Sequence, residues 1–103
     1  MPIVESPKSF SASYGAVSVG TGSATKVLSL NKNRIGFICS IKGSQLGKVY
    51  WGFNSSVTTS SNGGVINPGG NFGMVGDGAY VGDLWFIAEG ASVTVFYSDF
   101  SKS

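Results

Sequence analysis

The sequence predicts an all-β fold: an antiparallel β-sandwich, jelly-roll or immunoglobulin-like, with seven or eight short strands and an extended N-terminal arm. Three observations carry this reading. Apolar and polar residues alternate over short runs, as at Ile35, Phe37, Cys39 and Ile41, which is the period of a half-buried strand. The runs recur at intervals of roughly ten residues, each bounded by Gly, Asn, Pro or Ser. No stretch holds a helical period over about ten residues, and no short repeat recurs that would build a solenoid or propeller.

Length and charge narrow the classes. A chain of 103 residues makes one domain. Charged residues are 12% of it, against a usual share of roughly 25%. So little charge suits a surface that meets neighbours better than that of a free, highly soluble monomer. The net charge is +2, and Lys8, Lys26, Lys32, Arg34, Lys42, Lys48 and Lys102 are scattered, which is not a nucleic-acid footprint. Lys32 and Arg34 flank Asn33 and read as solvated turn charges. No apolar run approaches the roughly 18 residues of a membrane span. The opening Met-Pro-Ile-Val-Glu-Ser-Pro-Lys lacks the basic and apolar regions of a secretory signal.

Residues 1–12 read as the arm and 13–103 as the sandwich domain. Pro2 and Pro7 block helix and interior-strand pairing, and the serines around them add no packing. Extended, the arm reaches at most ~40 Å. It is either a floppy tail or an element that orders on a neighbouring subunit, with Pro2, Ile3, Val4, Pro7 and Phe10 as candidate contacts. A short strand follows at 16–19, closed by Gly20-Thr21-Gly22-Ser23. Residues 25–30 form the next, and Asn31-Lys32-Asn33 the turn. Residues 34–41 give the clearest strand, with Ile35, Phe37, Cys39 and Ile41 inward, Arg34, Gly36 and Ser40 outward, and Ile38 breaking the pattern.

After a loop at 43–47, residues 48–53 place Val49, Trp51 and Phe53 on one face and Lys48, Tyr50 and Gly52 on the other. Residues 54–64 are polar except for Val57, with a short edge strand at 56–59. Val65 and Ile66 enter a strand that Pro68-Gly69-Gly70 stops, and Phe72 and Met74 are the next apolar anchors. Residues 80–88 are apolar on both faces and read as a central strand, covered on both sides. Glu89 to Ser92 turn the chain, and Val93, Val95 and Tyr97 alternate along the last strand.

The inventory is poor in chemistry. One cysteine, Cys39, allows no intrachain disulfide and reads as a buried inert thiol. Without histidine there is no Ser-His-Asp or Cys-His nucleophile, and zinc sites need several Cys or His ligands. Gly20-Thr21-Gly22 begins a dinucleotide fingerprint, but Thr25 stands where its third glycine belongs and no helix follows. Asp77, Asp83 and Glu89 read as turn and surface residues; Asp83 is expected to pair with Lys26, Arg34 or Lys48, or to sit at the solvent end of its strand. The expectation is a non-enzyme with no catalytic residues, cofactor or metal. Trp51 and Trp85 are in phase with apolar neighbours and read as core. Tyr50 and Tyr80 are either packing residues or candidate surface-binding residues for a sugar ring.

Several stretches also carry a resemblance. They are Thr25-Lys26-Val27-Leu28-Ser29-Leu30-Asn31-Lys32-Asn33-Arg34; Val49-Tyr50-Trp51-Gly52-Phe53 with Val57-Thr58; Gly63-Gly64-Val65-Ile66-Asn67-Pro68-Gly69-Gly70; and Trp85-Phe86-Ile87-Ala88-Glu89-Gly90-Ala91-Ser92-Val93-Thr94-Val95. The chain resembles the small all-β virion proteins of tailed bacteriophages, of head decoration (cement) or head-fibre type. The resemblance implies a structural protein, made in the host bacterial cytoplasm, that binds the capsid exterior and stabilises the outer head lattice. Its partners would be the major capsid protein or another virion protein and further copies of itself, often as a trimer, with no nucleic acid or membrane. The arm would be the first anchor on the capsid and residues 54–64 the second contact or an outward loop. The alternative implied is a neck or tail accessory protein, or a receptor- or carbohydrate-binding module using Tyr50 and Tyr80.

Overall fold

The computed structural model of the chain describes residues 10–76 and 78–102, with Phe10 in its backbone only. Eight strands form: β1 (Phe10–Val19), β2 (Thr25–Leu28), β3 (Arg34–Ser40), β4 (Lys48–Gly52), β5 (Gly64–Ile66), β6 (Asn71–Val75), β7 (Leu84–Glu89) and β8 (Val93–Lys102). They make two four-stranded sheets, in the orders β1-β8-β3-β6 and β2-β7-β4-β5. Every pairing is antiparallel. No helix appears among the described residues. The result is the expected all-β sandwich.

The core lies between the sheets. Val19, Phe37, Cys39 and Val95 from one sheet meet Val49, Ile66, Leu84 and Phe86 from the other, all essentially inaccessible to water. Burying each such side chain contributes about 1.5–3 kcal/mol. Aromatic rings bridge the layers. Trp51 of β4 stacks on Phe72 of β6 at 4.0 Å and 7°, and Phe72 meets Phe37 edge-on at 5.6 Å. The turns follow their residues. Asn67-Pro68-Gly69-Gly70 closes with Gly70 N–H donating to Asn67 C=O (2.8 Å), and Gly69 takes the φ of 84° that a type II turn demands at its third position.

The structure differs from the sequence reading at several places. Trp85, read as core, stands on the outer face of β7 opposite Lys26, so that strand is not covered on both sides. β1 begins at Phe10, so residues 10–12 belong to the sandwich and not to the arm. Phe10, Ala12 and Tyr14 alternate with serines there, a weak strand signal beside the prolines, and the stretch is ordered by a ten-residue ladder with β8, Phe10 opposite Lys102 through Val19 opposite Val93. Pro2, Ile3, Val4 and Pro7 lie outside the described residues. Residues 56–59 form no strand; Val57 instead tucks in, 5% exposed, over Gly52. β7 is central in its sheet, as expected, but starts at Leu84 and not at residue 80. β8 runs on to Lys102.

A further difference is Arg34, which is 4% exposed and not a solvated turn charge. A register shift between Arg34 and Gly36 interrupts the β3·β8 ladder. Such an irregularity turns the residues before it to the opposite face. Arg34 therefore points inward opposite Ser101, while Ile35 is left outside. Nε donates to Asp99 Oδ1 (2.8 Å) and Nη2 to Asp99 Oδ2 (3.2 Å). Nη2 also donates to Ser29 C=O (2.7 Å), and Nη1 to Gly82 C=O (3.0 Å) and Tyr80 C=O (3.3 Å). The five donors of the guanidinium fork are thus all engaged. One side chain ties β3 to β8 and to the 29–33 and 79–83 loops. Asn31 adds a bond from Nδ2 to Ser101 Oγ (2.6 Å). Asp83 pairs with none of the expected cations; its Oδ1 accepts Leu30 N–H at 2.7 Å.

Cys39 is inaccessible, as the alternation predicts, and burial pushes its thiol up to about 12, with Arg34 opposing and Asp99 assisting. A raised value means stability is complete below the thiol's ordinary range and declines as pH rises from about 9 towards 12, where only the unfolded chain ionises. In the native protein a thiol reagent at pH 8 should react with Cys39 only as fast as the domain unfolds, and at once in denaturant. Rapid native labelling would contradict this placement.

Candidate interaction surface

The two outer faces of the sandwich differ. On the β2-β7-β4-β5 sheet, the outer face carries Lys26, Trp85, Ile87, Glu89, Lys48, Tyr50 and Val65, as the registers of β2, β4, β5 and β7 require. Its charges are paired with its rings. Lys26 Nζ sits 5.9 Å over Trp85, Lys48 Nζ lies 3.4 Å from Glu89 Oε1, and Tyr50 Oη donates to the same oxygen at 2.8 Å. The Tyr50 hydroxyl, ahead of Lys48, holds the Glu89 carboxyl below the usual carboxylate range, and Tyr50 with Glu89 raises Lys48. Lys48, Glu89 and Tyr50 make a solvated polar cross-strand cluster with little to gain from losing water, set beside Trp85, Ile87 and Val65.

The outer face of the β1-β8-β3-β6 sheet is of another kind. The ladders place on it Ala12, Tyr14, Ala16 and Ser18 of β1, Thr94, Phe96, Ser98 and Phe100 of β8, Gly36, Ile38 and Ser40 of β3, and Asn71, Gly73 and Val75 of β6. None of these positions is charged. Tyr14 is 73% exposed, Val75 76% and Ile38 40%. Ile35, displaced outward by the β3 irregularity, joins Ile38, Val75 and Phe100 around a shallow, almost wholly apolar hollow. A second hollow lies between Tyr14, Ile38, Phe96 and Ser98. Gly36 and Gly73 leave the floor low; a Cβ on Gly73 would meet the Phe37 carbonyl oxygen at 2.4 Å. Charge stands only at the ends of the face. Lys42 Nζ sits 5.2 Å over the Phe96 ring, and Lys102 is exposed at the far end of β8.

This face was not among the sequence candidates. Ile38, which breaks the alternation of β3, was its one visible signal. Of the two tyrosines singled out from the sequence, Tyr50 stands on the polar face described above. Tyr80 packs against the core, with its hydroxyl donating to Asp83 C=O (2.7 Å) and its ring 4.6 Å from Phe53. The two therefore do not share one aromatic platform, and Tyr80 has a structural use as the clasp of the 80–83 loop. Residues 54–64 form a self-bonded polar loop: Asn54 Oδ1 accepts Ser56 N–H (3.0 Å), and Asn62 Nδ2 donates to Thr58 and Thr59 carbonyls (3.1 and 3.2 Å). An uncharged sheet face with apolar hollows and charge at its rim has the anatomy of a protein contact surface. No protein-family model, curated protein or solved structure matches the chain.

Proposed function

We propose that this chain is a structural protein of a tailed-bacteriophage virion, of capsid-decoration type, that docks on the outer head lattice through the outer face of the β1-β8-β3-β6 sheet. The observation that carries the reading is the absence of charge from that face, beside the polar, ion-paired face opposite. One face is cheap to desolvate and the other is suited to stay in water. The sequence resemblance points to the same class of partner.

The fold reading is a jelly roll rather than an immunoglobulin-like sandwich. Its support is the pairing of β1 with β8, β2 with β7, β3 with β6 and β4 with β5, in alternating sheets. That is the order obtained by rolling up one long antiparallel hairpin, and capsid and lectin domains use the architecture. Fold alone does not fix function.

The test is binding to particles of the encoding phage assembled without the protein. Wild-type protein should saturate the shell at many copies. Ile38→Lys with Val75→Glu, both at exposed positions, should remain folded and lower affinity by about 100-fold or more, as charges placed in an apolar contact do. Full occupancy by the double variant, or wild type found at a single vertex, would overturn the proposal.

A further inference from the structure

We propose that β1 is a self-pairing edge: two copies of the chain join β1 to β1 antiparallel across a two-fold axis, fusing their four-stranded sheets into one of eight strands. The inference rests on edge geometry and stands independently of the virion reading. A sandwich has four edge strands, here β1, β6, β2 and β5. Exposed edges invite strand addition, and proteins blunt them with shortness, charge, bulges or proline. Three of the four are blunted. β2 has four residues, includes Lys26 and carries a register irregularity between Lys26 and Leu28. β5 has three residues and runs into Pro68. β6 has five, half the length of β1.

β1 has none of these devices. It is ten residues long, with no charge and no proline, and its ladder to β8 runs without a register break. Among the described residues nothing pairs with its other side. Alternate residues of an antiparallel strand turn their N–H and C=O groups away from the existing neighbour, so among the described residues half of this backbone faces no strand.

The chemistry favours a second copy as that partner. Ser11, Ala12, Ser13, Tyr14, Gly15, Ala16 and Ser18 are small or neutral, so the strand meets its own image without like-charge repulsion. A two-fold axis perpendicular to the sheet keeps both outer faces on one side. Outer residues must then oppose outer residues, so Tyr14 falls opposite the second copy's Tyr14 or a neighbour two residues away on that face, such as Ala16. The uncharged face would double in width without a seam.

Sedimentation equilibrium of the full chain over a range of concentrations reads the outcome. Wild type should be a dimer in equilibrium with monomer. Ser11→Lys with Ala16→Lys, both at exposed positions, should weaken self-association by at least about tenfold with an unchanged circular dichroism spectrum. Val75→Glu, on the opposite edge of the same sheet, should leave it intact. Backbone amides of β1 should exchange more slowly as the dimer fills. A wild type that stays monomeric would overturn the proposal. So would a dimer indifferent to the lysines or broken by Val75→Glu, which would place the contact on the face and not the edge.

Discussion

Replacing Arg34 by methionine should cost about 3–5 kcal/mol, the usual penalty for removing one partner of a buried ion pair. Stabilities of domains this size run to about 5–15 kcal/mol, so the variant should be barely folded. The reason lies in what is left behind. Asp99, whose side chain is 14% exposed, would lose its cation. The carbonyls of Ser29, Tyr80 and Gly82 would lose their donor in the same stroke. Lysine should not rescue the site: it keeps the charge but lacks the planar fork that reaches two carboxylate oxygens and three carbonyls together. Arg34→Lys should therefore still lose about 2 kcal/mol. Asp99→Asn keeps the shape and removes the charge, and should fall between the two. Urea denaturation of the four proteins gives the order directly. If Arg34→Met loses less than about 1 kcal/mol, the level of an exposed ion pair, the buried cluster is not what ties the loops to the sheet.

Phe37→Ala should be comparably severe, at about 3–5 kcal/mol, for a different cause. Phe37 is fully buried on β3, edge-on to Phe72, which in turn stacks on Trp51 of the other sheet. Removing the ring leaves a cavity that strands on both sides prevent from closing. Phe37→Leu fills most of that space and should cost less, about 1–1.5 kcal/mol. The urea midpoint should fall in both variants with the slope unchanged, because the exposed area of unfolding barely alters. Arg34 lies 5.8 Å over the same ring, so Phe37→Ala and Arg34→Met share a neighbour and their effects should not add. Additive losses would mean that ring and guanidinium act separately.

Much of the fold was legible because turn chemistry and alternation agree. Asn67-Pro68-Gly69-Gly70 stops β5 where the sequence says it must, and Val93, Val95 and Tyr97 alternate inward as written. Legibility failed where order comes from a partner and not from the stretch itself. Phe10, Ala12 and Tyr14 alternate with serines, but two of these three are the only large apolar residues of the stretch, and the ladder to β8 makes it strand. Arg34 was misread because alternation assumes an unbroken register, and the irregularity beside Ile35 reversed the faces at that point. Asp99 carried a signal that the reading did not use, since it continues the inward positions of Val93, Val95 and Tyr97. The apolar face was hidden for another reason. Tyr14, Ile38, Phe96 and Val75 are single outward residues in four separate strands, and only the sheet order β1-β8-β3-β6 sets them side by side.

The most direct test of the docking face is hydroxyl-radical footprinting of the protein free and bound to its particle. Ile38 and Val75 report the proposed face; Tyr50 on the opposite sheet and Leu46, 92% exposed in the β3–β4 loop, are the controls. The account predicts that oxidation of Ile38 and Val75 falls sharply on binding while Tyr50 and Leu46 keep their free rates. Protection of Tyr50, with Ile38 and Val75 oxidised as before, would contradict it and place the partner on the polar face.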